Sequence, residues 1–214
     1  MCGRISLAGT RQRLEERFKV KAPEYKPNYN ASPTQLLPVI LDESPGAATM
    51  CRWGLLPHWA KDEKIGYSMI NARAETISEK PTFSRLITSN RCLVIADGFY
   101  EWKKDGKIKI PYRIILNNGD FFAMAGLWTS WVHDGKEVKS FTIITTTANS
   151  RMSRVHDRMP AILQQTDEKK WLDPGFKNRE TLLVPFDHEL RIYPVSSLVN
   201  SPKNNSVEVI KPIL

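Results

Sequence analysis

Cysteine is scarce in this chain. There are three in 214 residues, Cys2, Cys51 and Cys92, odd in number, widely spaced and without a C-x-x-C pair. That pattern excludes a disulfide scaffold, shows no zinc or dithiol motif, and points to a reducing compartment, the cytosol. Long apolar runs are missing too. The richest window, Phe121 to Val132, is interrupted by Gly126, Thr129 and Ser130 and is too short to span a bilayer. Arg4, Arg11 and Arg13 break any apolar stretch near the start, so no secretory signal is expected. Internal repeats, low-complexity tracts and linkers are absent, and no two of the four histidines share metal-ligand spacing. The expectation is one domain over residues 1–214, a monomer with no metal, no cofactor and no membrane contact.

What is present is a folding composition, with 41% hydrophobic and 25% charged residues, long enough to bury a core without staples. Lysine and arginine number 31 against 23 acidic residues, a net charge of +8. Such an excess biases a protein toward polyanions, nucleic acid first, although a solvated basic surface with no ligand accounts for it equally well.

Asp105-Gly106, Asn118-Gly119 and Asp134-Gly135 each separate runs rich in β-branched and aromatic residues, which is the strongest short-range hairpin signal. They predict a meander with strands near Cys92–Ile95, Tyr100–Lys103, Ile108–Leu116, Phe121–Trp131 and Lys139–Thr147, with further strands at Arg191–Val195 and Leu36–Leu41. Helices are short: Arg11–Phe18 capped by Thr10, Asp167–Leu172 capped by Thr166, and a third over Pro81–Thr88. The proline-rich stretch Ala22–Pro33 reads as extended chain over the surface. The fold class is α+β, mainly antiparallel β, with a barrel-like sheet and a few short helices.

The chain opens MCGR. Methionine is generally trimmed when the next side chain is small, which would leave Cys2 as a 1,2-aminothiol with a free α-amine beside its thiol. An α-amine has a pKa of about 8, so about a tenth or more is neutral and nucleophilic at pH 7. It attacks aldehydes, and the tethered thiol then closes the imine into a thiazolidine with the advantage of an intramolecular step. A buried cysteine acting as a small hydrophobe is the commoner case.

Four other stretches carry chemistry. In GFYEW, Glu101 stands among Phe99, Tyr100 and Trp102, surroundings that would raise its pKa and let it move protons, unless strand alternation turns it to solvent. In SRVHDRMP, His156 lies between Arg154 and Arg158, which would disfavour its cation and keep it ready to exchange a proton, unless it is a surface hydrogen-bonding residue. In MINARAET, Asn71, Arg73 and Glu75 share one face if the segment is extended, either as a reactive constellation or as a polar edge. In RWGLLPHW, Trp53 and Trp59 beside Arg52 suit stacking on bases, although at least one of the two is expected to fill a core.

Together and in this order, MCGR, RWGLLPHW, INARAET, RCLVIADGFYEW, PYRI with AGLW, VHDRMP and YPVSSLVNSP resemble the SOS response-associated peptidase, or SRAP, domain family from Cys2 to about Ile213. The resemblance implies a sensor of abasic sites in single-stranded DNA that crosslinks through Cys2 to the ring-opened sugar aldehyde. It implies that Asn71 positions the amine, Glu101 moves protons and His156 assists sugar opening. It also implies that Arg4, Arg73, Arg85 and Arg158 grip phosphates, while Pro33, Trp53 and Trp102 stack or wedge at the gap left by the base. Weak lyase activity would follow from the imine stage. Two rival readings stay open: a thiol peptidase using Cys2, His156 and Asn71, and a noncatalytic single-strand-binding module.

Overall fold

Five strands of this protein close on themselves, and that ring fixes where everything else sits. A computed structural model describes residues 2–213. In chain order the strands are β1 (Ile5–Leu7), β2 (Asn28–Ala31), β3 (Leu36–Leu41), β4 (Ala48–Trp53), β5 (Asn71–Arg73), β6 (Arg91–Ala96), β7 (Gly98–Asp105), β8 (Ile108–Leu116), β9 (Phe122–His133), β10 (Lys136–Thr147), β11 (Arg158–Pro160) and β12 (Leu190–Pro194). The helices are α1 (Arg11–Phe18), α2 (Pro81–Ser84), α3 (Leu86–Ser89) and α4 (Gln165–Leu172).

The ring runs β10-β4-β3-β6-β9 and back to β10, and a second sheet runs β12-β8-β7-β1-β2. Closure removes the free edges that an open sheet would expose. Most pairings are antiparallel, but β10 runs parallel to β4 and to β5. The chain crosses from ring to second sheet at Asp97, between β6 and β7. Phe99 on β7 meets Phe122 on β9 edge to face, ring centroids 6.5 Å apart, so the second sheet closes over one side of the ring. Inside lie Val39, Cys51, Cys92, Val94, Met124 and Phe141; α3 and α4 pack on the other side, over Leu93, Ile95 and Leu127.

The three Gly-containing dipeptides reverse the chain as expected, with left-handed backbone at Gly106, Gly119, Asp134 and Gly135. They do not make one meander. β7 pairs with β8 and β9 with β10, but β8 and β9 belong to different sheets, and β6 pairs with β3 and β9 rather than with β7. A turn residue specifies that the chain reverses and leaves the choice of partner to packing.

Thr10 caps α1 as expected, accepting from the Arg13 amide at 3.3 Å. Thr166 is no cap, because α4 begins two residues earlier than expected, at Gln165, with Gln164 at its N-cap. The third helix is broken into α2 and α3 on either side of Arg85. Part of the proline-rich stretch is not surface chain. Asn28–Ala31 forms β2 against β1, with Asn30 and Ala31 buried.

Gly126 on β9 has no room for a side chain. A Cβ there would stand 2.7 Å from Val94 Cγ2, 2.8 Å from Cys92 Sγ and 2.9 Å from the Thr142 carbonyl oxygen, which belongs to the neighbouring ladder. Gly126→Ala should therefore lower the unfolding free energy by about 1–3 kcal/mol in urea titration. Gly46→Ala, whose Cβ meets nothing within 4 Å, should stay within about 0.5 kcal/mol of wild type.

Candidate active site

Strand register carries the N-terminal residues to Glu101. Ile5 pairs with Phe99, and the Tyr100 amide donates to the Arg4 carbonyl at 2.9 Å, so the antiparallel ladder draws residues 2 and 3 alongside Glu101. Cys2 is fully buried in the same apolar cluster as Ile5 and Phe99.

Asn71 arrives from the opposite side. The parallel pairing of β5 with β10 sets Asn71 beside Ile143, and Ala72 packs into the helix-side core, which leaves Asn71 on the face toward Cys2. Its Nδ2 donates to the Cys2 carbonyl at 2.9 Å. Its Oδ1 is buried and accepts no hydrogen bond from any described residue.

His156 owes its place to the end of β10. There β10 carries β5 on one edge and β11 on the other, with Thr145 opposite both Arg73 and Pro160. His156 precedes β11, and its Nε2 stands 3.9 Å from Glu101 Oε2. Nδ1 accepts from the Arg158 amide at 3.0 Å and lies 2.8 Å from Asp157 Oδ1. The amide serves the neutral ring and the carboxylate serves the protonated one, so the imidazole is held in one place in both states. The Arg158 guanidinium is turned to Glu75.

Glu101 is only 3% exposed, because its sheet is covered on both faces: Phe99 and Glu101 face the ring, and Tyr100 packs opposite against Val195, Val199 and Val209. Burial raises the Glu101 pKa, partly offset by His156. Burial, reinforced by Glu101, also pushes the Cys2 thiol well above its ordinary range, so the sulfur keeps its proton. The site thus joins a protonated thiol, a carboxyl whose pKa burial raises, an imidazole served in both states and an amide at the Cys2 backbone. No group of three or more His, Cys, Asp or Glu side chains among the described residues is arranged to hold a metal ion.

A family model described as SOS response associated peptidase (SRAP) matches residues 1–202. The chain belongs to the SRAP family. Abasic site processing protein YoaM of Bacillus subtilis (strain 168) is 49% identical to it, over 98% of this chain and 97% of YoaM. Abasic site processing protein HMCES of Xenopus tropicalis is 34% identical over 89% of this chain and 68% of its own length. A crystal structure from Bacteroides thetaiotaomicron superposes on the SRAP chain with a TM-score of 0.91, at 31% identity and with all of both chains covered.

The outer residues of this SRAP protein divide into buried and accessible ones. Arg4 is only 9% exposed; its Nη1 donates to Asn30 Oδ1 at 2.6 Å and to the Val199 carbonyl at 2.7 Å, so it is a structural tie before it is a phosphate ligand. Arg158 is also held, bidentate on Glu75 at 2.6 and 2.9 Å and on the Thr145 carbonyl at 2.6 Å. Trp53 is 0% exposed, donates to the Ile70 carbonyl and stacks on Phe141, so it offers no face to a base, whereas Trp59 is 54% exposed. Trp102 is half-buried and donates to Asn200 Oδ1, Pro33 is half-buried in the turn before β3, and Arg73 and Arg85 are exposed. Glu75 leaves the β5 face through a 3-10 turn at Ala74–Thr76, so the expected three-residue row ends at Arg73.

Sequence reasoning missed Asn30 and Asp157. Asn30 also donates to the carbonyls of Ser201 and Asn204, binding β2 to the C-terminal segment, and nothing local marks it out within a proline-rich stretch. Asp157 was legible as the residue following the histidine.

Two outcomes follow for the SRAP protein. Arg4→Ala strips a charged donor from Asn30 and Val199 and should cost about 1.5–3 kcal/mol in denaturant unfolding, while Arg73→Ala and Arg85→Ala should each stay within about 0.5 kcal/mol. Glu101 has a folded pKa raised above its unfolded value, so it penalises the fold increasingly as pH rises from the unfolded carboxylate pKa through the folded one. Glu101→Gln should therefore melt at a higher temperature than wild type at pH 7, with the gap closing near pH 4.

Proposed function

We propose that this SRAP protein captures abasic sites in single-stranded DNA by forming a thiazolidine between Cys2 and the sugar aldehyde. Removal of Met1 exposes the Cys2 α-amine. An abasic deoxyribose is a closed hemiacetal in equilibrium with an aldehyde, and a proton moved by His156 opens it. The amine adds to C1′, Glu101 protonates the departing hydroxyl, and loss of water leaves an imine. The Cys2 thiol then adds across C=N, sulfur to carbon and proton to nitrogen, closing the ring. Burial of both groups suits this sequence, because a carboxyl with a raised pKa is the better proton donor and a thiol that stays protonated brings the proton the imine nitrogen needs.

The observation that carries the reading is the convergence on Cys2. Asn71 donates to its carbonyl at 2.9 Å and keeps a buried Oδ1 acceptor beside the same backbone, suited to orienting an amine N–H, while the Glu101–His156 pair lies alongside. The names of YoaM and HMCES as abasic site processing proteins support the substrate. A single strand is favoured because reaching C1′ requires separated bases and a bent backbone. The imine also permits β-elimination, which is the source of a weak lyase activity. The protein acts as a cytosolic monomer without a cofactor. A thiol peptidase would need a Cys2 thiolate, and burial drives this thiol the other way.

Purified protein mixed with an abasic single-stranded oligonucleotide should give a heat- and denaturant-resistant adduct. Its intact mass should equal protein without Met1 plus DNA less one water. Cys2→Ala should give none, and Glu101→Gln and His156→Ala should slow adduct formation by about 100-fold or more. A Cys2→Ala protein that crosslinks as well as wild type would sink the mechanism, and peptide hydrolysis lost in Cys2→Ala would favour the peptidase.

A further inference from the structure

The sheet face that carries Glu101 continues beyond it. Glu101 and Lys103 lie two residues apart on β7 and so point to the same face, and Glu101 pairs across the sheet with Tyr112 on β8. Over that face a groove of about 550 Å³ opens between the second sheet and the 3-10 turn at Met152–Arg154. Tyr112, Val155 and Ile192 form its apolar floor, and Lys103, Arg151 and Arg154 its walls. Val155 adjoins His156 in sequence, so the groove begins where the reactive cluster ends.

Its charges are poorly matched within the protein. Arg151 pairs with Glu189 at 3.1 Å, with both side chains more than half exposed, and among the described residues neither Lys103 nor Arg154 makes an ion pair. A cavity of about 480 Å³ between α1 and α4 makes the contrast: there Arg17 is bound bidentate by the buried Glu168. Three cations on two separate elements, with few counter-ions and an apolar floor between them, match a chain of phosphodiesters better than a single anion.

We propose that this groove holds the sugar–phosphate backbone of the DNA strand immediately beside the abasic residue, with Lys103, Arg151 and Arg154 each facing a phosphate. None of the three belongs to the set that the family resemblance suggested for DNA contact. The proposal rests on the capture reading only for what lies at Cys2, and its test uses undamaged DNA so that the two stand or fall separately.

A fluorescent undamaged single strand is titrated across a range of salt against wild type, the triple variant Lys103→Ala/Arg151→Ala/Arg154→Ala, and a variant of equal charge loss near α1 and α4, Lys21→Ala/Lys169→Ala/Lys177→Ala. The groove variant should bind roughly tenfold or more weakly, with the slope of log affinity against log salt reduced by about 2, near 0.7 per lost contact. The charge-matched variant should keep a slope within about 0.5 of wild type. Arg154→Glu alone should weaken binding further than Arg154→Ala. If the groove variant, folded by circular dichroism, cannot be told from the charge-matched one, the proposal is overturned whatever happens to abasic crosslinking.

Discussion

The protein depends on burying its own beginning. Residues 2 to 7 are threaded between β2 and β7 as an interior strand of the second sheet, and all but Gly3 are buried. A terminus ordinarily frays, because few contacts repay the entropy of ordering it. Here the contacts are exceptional. Asp97, at the crossover from ring to sheet, accepts from the Ser6 hydroxyl at 2.6 Å, from the amides of Ala8 and Gly9, and from Arg113 at 3.0 Å. Arg4 locks the other side through Asn30 and Val199. A carboxylate with four donors and a guanidinium with carbonyl acceptors are the kinds of buried charge a fold tolerates, since removing any partner strands the rest.

That anchoring explains why reactive groups can be buried without being lost. A flexible cysteine in water would have a freely ionising thiol pointing anywhere. Fixed beside Glu101, the same residue has a thiol held protonated and a carbonyl held by Asn71. Orientation on this scale is worth a large part of a chemical barrier, provided the surrounding strands do not give. β10 supplies the stiffness: it closes the ring, then carries β5 and β11 on its two edges, so that Asn71 and His156 are referenced to one strand. The bidentate Glu75–Arg158 pair, with Thr145 beneath it, ties the turn after β5 to β11 at the same level.

Much of the architecture was legible where local chemistry decides it. The Gly-containing turns, the cap at Thr10 and the long strands β8 to β10 follow from dihedral preference and alternation. Partner choice was not, because β8 and β9 separate into different sheets for reasons of packing that no turn records. The strands β1, β2 and β4 were missed for different local causes. β1 is three residues long, β2 hides in a proline-rich stretch, and β4 was read for the chemistry of its arginine and tryptophan although Pro45-Gly46 marks the turn before it. Of the reactive residues, all four were named from motif order, but their environments were legible only in part. The aromatic neighbours of Glu101 announced its burial; the alternation that argued otherwise failed because both faces of its sheet are covered.

The arginines teach a different lesson. Motif reading gave Arg4, Arg73, Arg85 and Arg158 one role, yet the fold has used two of them internally and left two in solvent. Net positive charge therefore overstates the number of cations free to meet a phosphate, and the useful quantity is how many lack a counter-ion near the reactive cluster. By that measure the face beyond Glu101 is richer than the motifs suggest, since Lys103 and Arg154 are exposed and make no ion pair among the described residues, while Arg4 and Arg158 are occupied. Like charges close to an amine also disfavour its protonation. Under the proposed capture reaction, cations that steer a strand toward Cys2 would also favour its neutral amine, so that binding and reactivity would draw on one electrostatic field.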